Sequence, residues 1–201
     1  MGSRKVLGLT IPDNNHRQIR ALRHHQGRPA IHGHKIWDSS LLLMHYLNRR
    51  PPRKGARVLE VGCGWGLAGI FCARAFSARV TAIDADPAVF PYVEAIAGIN
   101  RISVETRRQR LERITTDQLS AFHLMVASDI CFWESLANPL FNLIRRARKA
   151  GVPRIIVTDP GRAPFFRLAE RCEKAFDAQY RVWRTPGRSG LAGYVLNWEA
   201  G

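Results

Sequence analysis

The sequence predicts an α/β fold, a doubly wound and mostly parallel sheet closed by an antiparallel hairpin at the C-terminus. Three observations lead there. From residue 57 onward, short apolar β-rich runs alternate with longer helical patterns. Those runs are continuous rather than alternating in polarity, as strands are when helices cover both faces of a sheet. After Ala178, two β-rich segments are joined by a Pro-Gly loop too short to hold a helix.

The elements follow in chain order. Residues 1–56 read as a basic N-terminal extension, in which "NNHRQIRALRHHQG" is polar and cationic. Within it, "SSLLLMHYLNRR" forms a compact amphipathic helix whose leading serines can cap its N-terminus. The segment "NRRPPRKGA" at 48–56 is a proline-marked basic junction to the core, residues 57–201. Five strands come next, in "RVLEV", "RVTAID", "SVETR", "HLMVASD" and "RIIVTD", with helices over 66–77, 87–100, 134–149 and 163–177. "QYRVWRT" and "AGYVLNWEA" form the closing hairpin across "PGRSGL".

Composition narrows the class. With 201 residues and 46% hydrophobic content, the chain can bury one sizeable core, so a single domain over 1–201 is expected. There is no run of eighteen apolar residues and no convincing signal peptide at the start, so a soluble, cytoplasmic chain without membrane contact is expected. The cysteines at 63, 72, 131 and 172 form no C-x-x-C pair, which argues against a zinc ribbon or a disulfide framework and for reduced thiols. Histidines 24, 25, 32 and 34 have no cysteine companions, and no metal is expected. No G-x-S-x-G elbow supports hydrolase chemistry. A formal charge of +15 attracts an acidic partner, either an acidic protein substrate or nucleic acid.

The chemistry concentrates in "VLEVGCGWGLAGI", residues 58–70. Gly62, Gly64 and Gly66 fall at the turn from the first core strand to its helix, where open α/β sheets bind ligands and where glycine allows a ligand close to the backbone. From Gly64, "GWGLAG" matches the dinucleotide fingerprint G-x-G-x-x-G, which alone would suggest a nicotinamide or flavin enzyme. That frame, however, starts two residues beyond the strand, and Glu60 lies inside the strand, so the full pattern is E-x-G-x-G-x-G. This pattern resembles the first motif of class I S-adenosylmethionine-dependent methyltransferases, a likeness that covers residues 57 to about 160.

The resemblance implies a Rossmann-like sheet and S-adenosylmethionine as cofactor, with the glycines against it and Glu60 oriented toward its methionine end. A carboxylate suits that role because the sulfonium and amino group are cationic. Asp84, at the end of the second core strand, can accept both hydrogen bonds of a ribose diol. Asp129 ends the fourth strand, beside the first, where acceptor chemistry is expected.

Two further segments, "HLMVASDICFWE" and "GHKIWDSSLLLMHYL", are similar to the seven-strand protein-lysine methyltransferases, with a tryptophan loop before a helix and D-x-x-Y after the fourth strand. In "SDICFWE" and "DPGR" the chain looks closest to the electron-transfer-flavoprotein lysine methyltransferases. The likeness implies Trp37 and Asp129 at the cofactor, and Asp129, Phe132 and Trp133 as the catalytic acceptor site.

The chain departs from the pattern at Phe132, where tyrosine is usual, so one hydroxyl near the acceptor is missing. An aromatic wall would still attract a cationic amine. The N-P-P-[YFW] tetrapeptide of adenine and glutamine-amide methyltransferases is absent. Asp159 and Arg162, in "TDPGRAPFF", reach the same sheet edge and either contact substrate or simply form a Pro-Gly turn. N-methylation of a protein lysine is therefore expected. The alternatives are an RNA or small-amine methyltransferase, or a cofactor-binding module without catalysis.

Overall fold

The computed structural model describes residues 2–26, 29, 33, 35–186 and 190–201. The extension is more structured than its polarity suggests. Strands β1 (Ser3–Val6) and β2 (Leu9–Pro12) form an antiparallel hairpin. Its turn places Leu7 and Gly8 at φ 49° and 79°, the geometry whose twist matches the flanking strands. Helix α1 (Arg17–Gln26) follows and buries Ile19, and β2 buries Leu9 and Ile11. Asn100 ties this hairpin down by standing in for a missing strand: its Oδ1 accepts from Thr10 N at 2.8 Å and its Nδ2 donates to Thr10 O at 2.9 Å.

Helix α2 (Asp38–Arg49) matches expectation, but its capping does not. Trp37 holds the N-cap position without a side-chain cap bond, and Ser40 turns inward so that Oγ donates to Trp37 O at 2.6 Å. Both Ser39 and Ser40 are buried within the first turn, and the helix N-terminus has no side-chain cap.

The main sheet holds β3 (Arg57–Val61), β4 (Arg79–Asp84), β5 (Glu105–Arg108), β6 (Leu124–Ser128), β7 (Arg154–Asp159), β8 (Gln179–Arg184) and β9 (Ala192–Glu199). Their spatial order is β5-β4-β3-β6-β7-β9-β8, and only the pairs made by β9 are antiparallel. The crossovers are α3 (Leu67–Phe76), α4 (Phe90–Ile99), the short α5 (Thr116–Leu119), α6 (Glu134–Lys149) and α7 (Ala163–Phe176). A 3-10 turn, Pro87–Val89, precedes α4 and is capped by Asp86, whose Oδ1 accepts from Ala88 N at 3.0 Å. In the closing hairpin, residues 187–189 of the connecting loop lie outside the described residues.

The continuous apolar strands reflect burial on both faces. Val58, Leu124, Val126 and Ile156 join a layer with α2, α3 and α4, which the N-terminal Leu9, Ile11 and Ile19 extend. Leu59, Val61, Met125, Ala127, Ile155 and Val157 point the other way, onto α6 and α7. The order reverses between β3 and β6, and the carboxyl ends of these neighbours frame the crevice where an open sheet binds ligands.

Candidate functional site

The turn after β3 is shaped by contacts within the protein as much as by any ligand. Gly62, Gly64 and Gly66 all take positive φ, at 61°, 51° and 69°. An added Cβ at Gly62 would meet Ile130 Cδ1 at 2.6 Å, and one at Gly66 would meet Val93 Cγ1 at 2.8 Å. At Gly64, by contrast, a Cβ would meet no atom of the described residues within 4 Å. Only Gly64 thus leaves open space, while the other two admit side chains of the β6–α6 loop and of α4.

Gly64 N donates to Asp84 Oδ2 at 3.0 Å, and the other carboxylate oxygen accepts from Asp86 N at 2.9 Å. Burial raises the Asp84 carboxyl above its ordinary value, partly offset by these amides. Trp65, 3% exposed, stacks on Tyr92 with centroids 4.8 Å apart, and its Nε1 donates to Gly33 O at 2.7 Å. That last bond carries the N-terminal extension over the glycine turn.

A cleft of about 840 Å³, including its open mouth, lies at this point. Gly62, Gly64, Asp84, Trp37, Asp129 and Phe132 line it, as expected from the sequence. Glu60, Gly66 and Trp133 do not. Glu60 sits behind the turn, 2% exposed, where its Oε2 accepts the Gly69 amide at 3.0 Å and braces the first turn of α3. Trp133, 47% exposed, occupies the N-cap of α6 with its ring edge-on to Phe132 at 5.4 Å.

Other lining residues were not singled out by sequence. Lys35 and Ile36 come from the extension, and Lys35 Nζ lies 4.0 Å from the Trp37 ring centroid. Gln109 and Leu111 follow β5, and the rule that ligands gather at strand ends could have found them. Arg146 on α6 holds this wall by donating to Leu111 O at 2.7 Å and Ile114 O at 3.0 Å.

Across the cleft, Asp129 is 5% exposed and adopts φ 56°, a left-handed conformation that Asp tolerates better than most residues. Its amide donates to Thr158 O at 2.9 Å. Its Oδ1 lies 2.5 Å from Arg162 Nη2, and Arg162 Nη1 lies 3.0 Å from Asp159 Oδ2. Asp159 is fully buried, and its Oδ1 accepts from the Gly161 and Arg162 amides. Arg162 also sits 5.9 Å from the Phe132 ring centroid. One guanidinium therefore joins two buried carboxylates to the aromatic wall.

The cleft fits an adenosyl cofactor on its own chemistry. It has a half-buried carboxylate with lone pairs to spare, open space beside a side-chain-free backbone, and apolar walls from Trp37, Ile36 and Leu111. Among the described residues, no group of three His, Cys, Asp or Glu is placed to hold a metal. Histidines 32 and 34 lie outside the described residues. No helix among the described residues is long and apolar enough to cross a membrane.

A family model described as lysine methyltransferase matches residues 16–164. Calmodulin-lysine N-methyltransferase of Arabidopsis thaliana is 29% identical over 126 residues, covering 57% of this chain and 40% of that protein. Electron transfer flavoprotein beta subunit lysine methyltransferase of Xenopus laevis is 27% identical over 130 residues, covering 64% and 52%. The chain thus spans about half the length of these relatives. Among solved structures, magnesium protoporphyrin IX methyltransferase (ChlM) from Synechocystis PCC 6803 with bound SAM superposes with a TM-score of 0.56 at 15% identity, covering 90% of this chain and 80% of that one. At that identity the likeness shows the fold.

Two outcomes follow from the buried carboxylates. Burial pushes the Glu60 carboxyl up to about 8 from 4.5, against the pull of the Gly69 and Ala68 amides. Between those values the folded chain keeps a proton that the unfolded chain releases, so this group's contribution to stability is full below 4.5 and falls as pH rises toward 8. Glu60→Gln removes that dependence. The melting-temperature gap between variant and parent widens in the variant's favour from pH 5 to pH 8, and a constant gap contradicts the assignment.

Arg162→Gln strands both buried carboxylates and costs about 2 to 3 kcal/mol in denaturant unfolding. Combined with Asp129→Asn, the total loss falls short of the sum of the singles by at least about 1 kcal/mol. Strict additivity would show that the pair is not coupled.

Proposed function

The chain belongs to the lysine methyltransferase family, and on that premise we propose that it uses S-adenosylmethionine to methylate the side-chain nitrogen of a protein lysine. The observation that carries this reading is the gathering of Gly64, Asp84, Asp129 and Phe132 around one cleft at the reversal of strand order. When bound, the cofactor supplies a methyl group activated on sulfonium.

The chain's own residues provide binding, orientation and a proton balance. Asp84 offers its remaining lone pairs to a ribose diol while its existing bonds to Gly64 and Asp86 fix its rotamer. Gly64 gives the ligand room, and Trp37 covers it from the extension. Glu60 contributes from behind, by holding the N-terminus of α3 in place.

On the acceptor side, Phe132 supplies the wall for an alkyl amine, without the hydroxyl of the usual tyrosine. A lysine must lose its proton before it can act as a nucleophile, and its free value of about 10.4 leaves it charged at neutral pH. Asp129 alone would hold the ammonium form, but its charge is already shared with Arg162. That nearby cation disfavours the ammonium and favours the neutral amine. Positioning the amine against the methyl supplies the rest of the acceleration, an effect worth roughly 7 to 11 kcal/mol at best.

Charge supports an acidic protein partner. Lys35 lines the cleft, and Arg108, Arg110 and Arg113 stand exposed where β5 ends on the same edge. The four cysteines are buried free thiols, which supports a reducing, cytoplasmic setting.

The test pairs binding with transfer. Asp84→Asn removes a charged acceptor and weakens calorimetric affinity for S-adenosylmethionine by about 10- to 100-fold; unchanged affinity rejects this cleft as the cofactor site. Incubated with cell extract and methyl-labelled cofactor, the chain places label in nuclease-resistant protein, on lysine. Label in RNA, in a small amine only, or nowhere rejects protein-lysine transfer and leaves the corresponding alternative.

A further inference from the structure

The edge of the sheet opposite the cleft carries a second concentration of charge. The strands β3 and β4 start there with Arg57 and Arg79, which are register partners on neighbouring strands and are both exposed. Like charges directly opposite each other destabilise a sheet. The same edge receives Arg49, Arg50, Arg53 and Lys54, all exposed, from the end of α2 and the junction that follows.

His123 joins the set. Its Nε2 meets Arg53 Nη2, and its Nδ1 accepts from Arg57 N at 2.9 Å. Burial lowers the His123 pKa, and the nearby Arg53 and Arg57 charges lower it further, which favours the neutral ring whose Nδ1 accepts from the Arg57 amide.

The carboxylates nearby do not offset these cations. Glu199 pairs with Arg154 at 2.8 Å and Glu105 with Arg107 at 2.7 Å. Asp117 lines the recess that Arg57 and Arg79 share, yet forms no ion pair with either. Among the described residues, none of Arg49, Arg50, Arg53, Lys54, Arg57 and Arg79 comes within 4.0 Å of a carboxylate. Fixed φ at Pro51 and Pro52 stiffens the segment that presents them.

We propose that this amino edge binds the phosphate backbone of a nucleic acid. A protein partner would need an apolar anchor, because protein interfaces draw their affinity from buried aromatic and aliphatic residues at the centre. Among the described residues, the exposed large hydrophobic residues are Trp133 and Val182, and neither belongs to this edge. Phosphates need only cations at suitable spacing, and each neutralised contact releases counterions. Arginine, which supplies five of these six cations, also matches phosphate oxygens with two parallel donors. β3 is five residues long, which separates this edge from the cleft by about 16 Å, so nucleic acid here tethers the enzyme without occupying its acceptor site.

The experiment is fluorescence anisotropy of the full chain with short labelled RNA and DNA oligonucleotides over a salt series, without cofactor, so that it is independent of methyl transfer. The triple variant Arg53→Gln, Lys54→Gln, Arg79→Gln should lower the slope of log affinity against log salt by about 2 units. Its S-adenosylmethionine affinity should stay at the parental value, and its melting temperature should not fall. A control at the opposite edge, Arg110→Gln with Arg113→Gln, should leave the slope unchanged. The tighter of RNA and DNA identifies the source of the backbone. Equal losses from both variants would overturn the proposal in favour of net charge alone. Equal competition by polyglutamate at matched charge would overturn it in favour of an acidic protein.

Discussion

The hydrogen bond from the Gly64 amide to the Asp84 carboxylate, 3.0 Å long, holds the site together. It joins the turn after β3 to the end of β4, so the backbone that borders the cleft and the carboxylate that faces into it are fixed by one contact. Such a bond, charged on one side and half-buried, is stronger than its neutral counterpart. The left-handed turn that presents this amide requires small residues on either side. Ile130 presses against Gly62 and Val93 against Gly66, so the loop is clamped from the β6 side and from α4. Glu60 does the same for α3: an added Cβ at Gly69 would lie 2.5 Å from its Oε2.

The two sides of the cleft are built on different physical terms. The side at Gly64 and Asp84 is a backbone device, made of amides, one carboxylate and the absence of a side chain at Gly64. The side at Asp129 is a charge network, in which Arg162 shares itself between Asp129 and the fully buried Asp159. A network of this kind resists change because removing any one member leaves another charge uncompensated. On the proposed function, polar control of the acceptor falls to the Asp129–Arg162 pair, and the Phe132 ring supplies shape.

Much of the sheet was legible in the sequence because strands such as "RVLEV" and "RIIVTD" are apolar on both faces and bounded by breakers. Their limits, Arg57–Val61 and Arg154–Asp159, match the observed ones. The strand-to-helix turn was equally plain from its glycines. Their individual reasons were not, since Ile130 and Val93 approach from distant parts of the chain. The hairpin β1–β2 escaped detection because its strands have four residues each and depend on Asn100, ninety positions away. For the same reason, nothing local announced that Gly33 accepts from Trp65 or that Lys35 reaches the cleft. Glu60 was read as facing a ligand because its place in the motif is distinctive, whereas its direction, toward Gly69, depends on how α3 seats on the sheet.

A crystal of the chain soaked with S-adenosylhomocysteine locates the cofactor site. Density is expected in the crevice between the carboxyl ends of β3 and β6, with the ribose hydroxyls on Asp84 and the ligand passing over Gly64 where no side chain stands. Density elsewhere on the surface, or a ribose bound by groups other than Asp84, would contradict this placement.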